Sequence, residues 1–300
     1  YDTNEDMLAK IRPGNSGYDV IVPSDYAVDI LIKEGLVARL DKTNIPNIGN
    51  LDPNYMNLYY DPGNEYSVPY FVGVTGIAYN KTVIATPPDS WAALFDPAQL
   101  EPYKGKASML DDEREAIGAA LIYLGTSIND TDPANLAKAE ELLQAQKPLL
   151  AAYNSSDFNR KLAGEEIVIA HAWNGSAGQA YTGLDDFPGN PDIGFVVPKE
   201  GGTIWQDNLM IVGDTSRKYT AEVFINYLLD AKAGAKNTDY ILYGTPNVEA
   251  AKLIAPETKA VFDAGFGPPG SELIKRLQWI KRSEGDNTIF SDVWTRIKSS

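Results

Sequence analysis

Gly17-Tyr18-Asp19-Val20-Ile21-Val22-Pro23-Ser24-Asp25 is the stretch on which the fold turns. Its short apolar run, closed off by Gly17 and Pro23, predicts a strand buried on both faces, and such a strand belongs to the parallel sheet of an α/β protein. Ser24 or Asp25 then caps a helix that runs through Val28, Ile30, Leu31 and Ile32 and stops at Gly35. Ligands of open α/β sheets gather at the carboxyl ends of strands, so Ser24 to Tyr26 occupies a site-like position.

Working outward, Tyr66 to Asn80 is a long β-favouring stretch interrupted by Gly73 and Gly76, which suits a strand passing from one sheet to another. Thr203 to Val212, containing Trp205 and Asp207, predicts the return crossing. Between them lie helices at residues 113–124 and from Asp132-Pro133 through Leu136, Ala139, Leu142 and Leu143, with strands at Ile167–Ala170 and Ile193–Pro198. A helix over 219–231 follows, with Val223, Phe224, Tyr227 and Leu228 forming its apolar face. No repeat, low-complexity tract or linker separates these elements, so a chain of 300 residues with 44% hydrophobic content is expected to build two interleaved lobes.

The composition narrows the chemistry. Forty-one acidic residues against 26 basic ones give a net charge of -15, which repels nucleic acid and anionic membranes and attracts cations. The chain has no cysteine, hence no disulfide framework and no thiolate chemistry. It has no run of eighteen apolar residues, and its polar, acidic start from Tyr1 to Asp6 does not resemble a signal peptide, so an exported protein whose signal has been removed is expected. No cofactor and no metal are expected, because ferric iron wants tyrosinate or histidine clusters and the candidate residues are mainly carboxylate and tryptophan.

Several motifs compete for attention. Gly265-Phe266-Gly267-Pro268-Pro269-Gly270 spells a dinucleotide pattern, but the two prolines remove backbone donors and no strand precedes it. His171 reads as a strand-face histidine, and Ser176 lacks the elbow that exposes a hydrolase nucleophile. Asp112 and Glu115, three apart at the head of a helix, fit a capping box; they equally fit a pair of carboxylates placed to neutralise an ammonium. As an acid/base pair they would instead predict an enzyme, although carboxylates on one helical turn lean together rather than flanking a substrate. Trp173, Trp205, Tyr26 and Tyr243 stand at the ends of predicted elements, where aromatics usually pack. Trp205 and Asp207, however, share a strand face, and an aromatic wall beside a carboxylate is what an alkyl-ammonium needs.

These segments together resemble the spermidine/putrescine-binding proteins of bacterial ABC transporters. The match runs through Asn4–Met7, Gly17–Ser24, Lys33–Leu36, Asn50–Pro53, Tyr66–Tyr70, Leu110–Glu115, Trp173–Ser176, Pro198–Gly202, Trp205–Asp207 and Tyr243–Asn247, in family order. The resemblance implies the type II periplasmic-binding-protein fold: two α/β lobes, residues 1–76 with 206–251 and residues 77–205 with 252–300, joined by two hinge crossings. It implies a polyamine held between the lobes by Ser24, Tyr26, Asp112, Glu115, Trp173, Trp205, Asp207 and Tyr243, with no catalysis. A membrane permease is the implied partner, and the implied location is the periplasm or the outer face of a membrane, free or lipid-anchored.

Two departures from the family pattern stand out. Family members begin with a strand and a Trp-x-x-Tyr pair that precede the first residue here, so the first lobe is expected to lack its usual N-terminal strand. The chain is expected to be a monomer unless another copy supplies that strand. Near the end the run Gln278-Trp279-Ile280-Lys281-Arg282 replaces an acidic or amide residue after a tryptophan, leaving Gln278 as the stand-in contact. The same fold binding another small cation, or a polyamine sensor with an incomplete pocket, are the competing expectations.

Overall fold

The computed structural model describes Tyr1, residues 3–282 and residues 288–300; Asp2 and residues 283–287, the latter within the second lobe expected from sequence, lie outside the described residues. The chain divides into two compact units, Tyr1–Val72 with Trp205–Ala260 and Gly73–Ile204 with Val261–Ser300. Two long strands, Ser67–Asn80 and Gly202–Ile211, carry the chain from one unit into the other.

In the first unit the opening run is a strand of only two residues, Val20–Ile21, and it pairs antiparallel with Met210 and Ile211 rather than parallel as its sequence predicts. An apolar run encodes burial but not the direction of the strand that will cover it, and here the partner arrives nearly two hundred residues later, running the opposite way. Flanking bonds extend the ladder irregularly: Val212 N donates to Asp19 O at 3.0 Å and Asn208 N to Pro23 O at 2.9 Å. The helix Asp25–Lys33 follows and ends at Gly35, whose φ of +69° lies in the left-handed region that favours glycine.

The helix near 219–231 spans Lys218–Leu228, and a second one begins at Ala231 behind the cap Asp230. Most of its expected apolar face is turned outward: Val223, Phe224 and Tyr227 are exposed, whereas Leu228 is half-buried against the core. The buried stripe is Ala221, Glu222 and Ile225, packed on Leu40, Ile45, Leu51, Leu209 and Ile211. A polar side chain holds a core position here because Glu222 accepts from Asp41 N at 2.8 Å, Asn44 Nδ2 at 2.7 Å and Lys218 Nζ at 2.6 Å. Hydrophobicity alone cannot see such a satisfied carboxylate.

In the second unit the strand Ile169–Trp173 pairs antiparallel with Thr75–Tyr79 and parallel with Ala107–Ser108. Ala152–Tyr153 extends the sheet in parallel beyond Ala107–Met109, and Ile193–Val196 covers the other side of the crossing strand at residues 77–80. Gly76 is required where these strands meet, because a Cβ there would stand 2.3 Å from the Val196 carbonyl oxygen. Leu277–Trp279 pairs parallel with Gly202–Ile204, and the helix Glu113–Tyr123 packs its Ile117, Ala120 and Leu121 into the core. Leu124, counted with that apolar set from sequence, is exposed beyond the helix end.

The outward turn of the Lys218–Leu228 helix has a measurable consequence. Ile225→Ala is expected to cost about 2–5 kcal/mol of stability, whereas Phe224→Ala stays within about 0.5 kcal/mol. Chemical denaturation of the two variants checks it, and equal losses would refute the assignment.

Candidate functional site

The second unit gathers a cluster around Glu115. Asp112 caps the helix Glu113–Tyr123, its Oδ1 accepting from Arg114 N and Glu115 N, both at 3.0 Å. The capping box is only half formed, since the Glu115 side chain does not turn back to Asp112. Its Oε1 accepts from Thr75 Oγ1 at 2.8 Å and from Trp173 Nε1 at 3.4 Å, and its Oε2 accepts from Thr203 Oγ1 at 2.9 Å. Strand register explains the convergence: Thr75 stands opposite Trp173 in the antiparallel pair, so both donors reach one oxygen.

Burial makes this carboxylate costly to ionise. Desolvation, followed by the charge of Asp112, pushes Glu115 up to about 7, against the lowering effect of its three donors. Burial likewise raises Asp112, opposed by the two cap N–H groups and by Arg114. His171, the chain's single histidine, is fully buried with Nε2 4.0 Å from Glu115 Oε2, and among the described residues neither ring nitrogen has a hydrogen-bond partner. Desolvation pulls it down to about 3, so it is neutral and supplies no counter-charge.

The first unit presents a second carboxylate. Asp207 lies on the return strand, bridged to Ser24, and Ser24 Oγ donates to its Oδ1 at 2.8 Å. That bond explains why Ser24, at the N-cap of the helix Asp25–Lys33, makes no side-chain cap. The surrounding protein raises Asp207 to about 6, with the Ser24 bond working against the shift. Two residues earlier, Trp205 meets Tyr243 edge to face at 4.9 Å, and Tyr243 also lies 6.5 Å from Phe71. Gln206 and Asn208 alternate to the other face, where Gln206 Nε2 donates to Tyr60 Oη at 2.7 Å.

Of the residues expected from sequence, the first unit brings together Ser24, Asp207, Trp205 and Tyr243, and the second brings together Asp112, Glu115 and Trp173. The other two each make a bond within their own unit. Tyr26 is buried with its hydroxyl donating to Glu5 Oε1 at 2.8 Å, which ties two helices of the first unit. Gln278 Oε1 accepts from Ser127 Oγ and Ile128 N, both at 3.1 Å, and so holds a loop of the second unit. Thr75 and Thr203 escaped the sequence reading. Thr203 carried a usable signal, since Thr203, Trp205 and Asp207 alternate along one strand; Thr75 carried none, because only pairing places it beside Trp173. Among the described residues no group of three or more His, Cys, Asp and Glu side chains could hold a metal, and no helix is long and apolar enough to cross a membrane.

Residues 1–262 match the family model described as bacterial extracellular solute-binding protein. The putrescine/cadaverine-binding protein of Pseudomonas aeruginosa is 36% identical over 302 residues, which are 99% of this chain and 84% of the relative. The spermidine/putrescine-binding periplasmic protein of Escherichia coli is 36% identical over 304 residues, 100% of this chain and 83% of the relative. A solved chain provisionally assigned to a spermidine/putrescine ABC transporter of Listeria monocytogenes matches with a TM-score of 0.90 at 32% identity, over 99% of this chain and 89% of the other.

The raised Glu115 fixes a sign for stability. Its folded value of about 7 lies above its ordinary 4.5, so between those values the folded protein holds more protons than the unfolded one. The stability that Glu115 contributes is full below pH 4.5 and is lost as pH rises towards 7. Thermal melts across that window are expected to show wild type losing more stability with rising pH than Glu115→Gln; parallel curves would refute the shift.

Proposed function

The chain belongs to the bacterial extracellular solute-binding proteins, and from that premise we propose that the solute it captures is a polyamine such as spermidine or putrescine. Its fold is the type II periplasmic-binding-protein fold, and members of the family bind solutes outside the cytoplasm rather than transform them. One observation carries the choice of ligand. Among the described residues neither Glu115 nor Asp207 pairs with a lysine or arginine, although protein packing raises both. A buried carboxylate without a counter-cation is costly, and an incoming ammonium removes that cost.

In this reading Asp207 takes one ammonium group, and Asp112 with Glu115 takes another. Trp205 and Tyr243 in the first unit, and Trp173 in the second, supply flat apolar walls for the methylenes, with cation–π attraction of about 0.5–2 kcal/mol each. Ser24, Thr75 and Thr203 orient the carboxylates, and any direct contact they make with ligand is secondary. Tyr26 and Gln278, given their bonds to Glu5 and to the 127–128 loop, act as supports. The names of the relatives support the same class of ligand, and a membrane permease of an ABC importer is the partner that follows from it.

Asp207→Ala is expected to weaken spermidine binding by about 2–5 kcal/mol, because truncating one partner of a buried charge pair leaves the other uncompensated. Titration calorimetry measures it, and unchanged affinity removes Asp207 from the site. Because an ammonium binds the ionised carboxylates, affinity should rise with pH through the values of about 6 and about 7 set by Asp207 and Glu115, then level off. A thermal-shift screen with spermidine, putrescine, thiamine and ferric iron decides the ligand class. Stabilisation by thiamine or iron alone overturns the polyamine reading.

A further inference from the structure

Arg114 lies in sequence between the two carboxylates of the second unit, yet its guanidinium is engaged elsewhere. It stands 4.0 Å over the ring of Phe290, and Nη1 and Nη2 both donate to Lys281 O at 3.1 Å. Nη2 also donates to Asn129 Oδ1 at 3.2 Å. Asn129 is itself fixed, donating Nδ2 to Trp279 O at 2.9 Å and accepting from Lys281 N at 2.7 Å. Its neighbours reach the same C-terminal segment: Lys298 Nζ bonds both carboxylate oxygens of Asp111 at 2.8 Å, and Ser291 Oγ donates to Glu113 Oε1 at 2.8 Å.

The turn is thus divided by helical spacing. Asp111, Glu113 and Arg114 are anchored to Lys298, Ser291 and Lys281 respectively, while Asp112 and Glu115, three apart, share the other side. Among the described residues Arg114 is the one buried lysine or arginine. A buried guanidinium beside a site for cations would repel its ligand unless it were turned away and its charge spent on holding the site together.

Resting on the polyamine reading, we propose that Arg114 is a positioning residue, which fixes the turn bearing Asp112 and Glu115 through its bonds to Lys281 and Asn129 and offsets the charge of Asp112 while leaving Glu115 without a counter-cation. Charged and titratable groups of the described residues lie around it on three elements. Asp111, Asp112, Glu113 and Glu115 come from its own turn, His171 from the strand Ile169–Trp173 beside Glu115, and Lys298 from the helix Ile289–Ser299 on Asp111. Arg114 lowers the raised Asp112, so without it Asp112 holds its proton to higher pH.

The test is titration calorimetry of the full chain with spermidine at pH 6 and pH 8, for wild type, Arg114→Met and Arg114→Lys, with a thermal melt of each. Arg114→Met is expected to lose about tenfold in affinity at pH 8, the scale of one charge-assisted hydrogen bond, and distinctly more at pH 6, which steepens the pH profile. Arg114→Lys keeps the charge but not the fork, so it retains the wild-type pH profile while still binding more weakly. Wild-type affinity in Arg114→Lys, or a wild-type pH profile in Arg114→Met, overturns the inference. If Arg114→Met does not fold, the affinity of Arg114→Lys decides alone. Failure of the wild type to bind spermidine at either pH overturns the polyamine reading and this inference with it.

Discussion

One buried carboxylate organises the second unit. Glu115 is carried by a helix, but its oxygens are held by Thr75 and Thr203 from the two crossing strands and by Trp173 from the central strand. Three neutral donors make the anion tolerable without making it content, because they lower its pKa less than burial raises it. An arginine or lysine in that position would have made a stable core and a useless site. The neutral His171 behind Glu115 has the same consequence: it fills space and leaves the charge unbalanced.

The first unit solves a smaller version of the same problem with different parts. Among the described residues Asp207 accepts from the Ser24 hydroxyl, and it stands on a strand whose alternation sends Trp205 to the same face and Gln206 and Asn208 to the other. On the far face Gln206 and Asn208 bond each other and Tyr60, which lets these amides be buried, although Gln206 Oε1 accepts no bond among the described residues. At Glu115 and Asp207 the hydrogen bonds come from neutral partners, and among the described residues no lysine or arginine pairs with either carboxylate.

Much of this was legible in the residues. The long β-favouring stretches around Val74 and Met210, the helix behind Asp112 and the shared face of Trp205 and Asp207 follow from period and composition, which the structure reproduces. Other expectations failed for identifiable reasons. The Val20–Ile21 strand was read as parallel because burial on both faces usually accompanies parallel pairing, yet its partner runs the other way. Val223, Phe224 and Tyr227 of the Lys218–Leu228 helix face outward, Leu228 alone of the expected stripe reaching the core, because a hydrogen-bonded Glu222 occupies the core side. The bonds of Tyr26 to Glu5 and of Gln278 to the 127–128 loop are a different matter: they are long-range contacts that no local pattern announces.

By itself the sequence determined the class of fold, the acidic character, and which short segments carry carboxylates beside aromatic rings, since these depend on local pattern and on composition. Only the tertiary structure decided which donors meet Glu115, that Arg114 is anchored to a segment more than 150 residues away, and which aromatic hydroxyls are already engaged. Those facts depend on strand direction, register and long-range packing. Because they arise from contacts between residues distant in the chain, no local stretch of amino acids contains them.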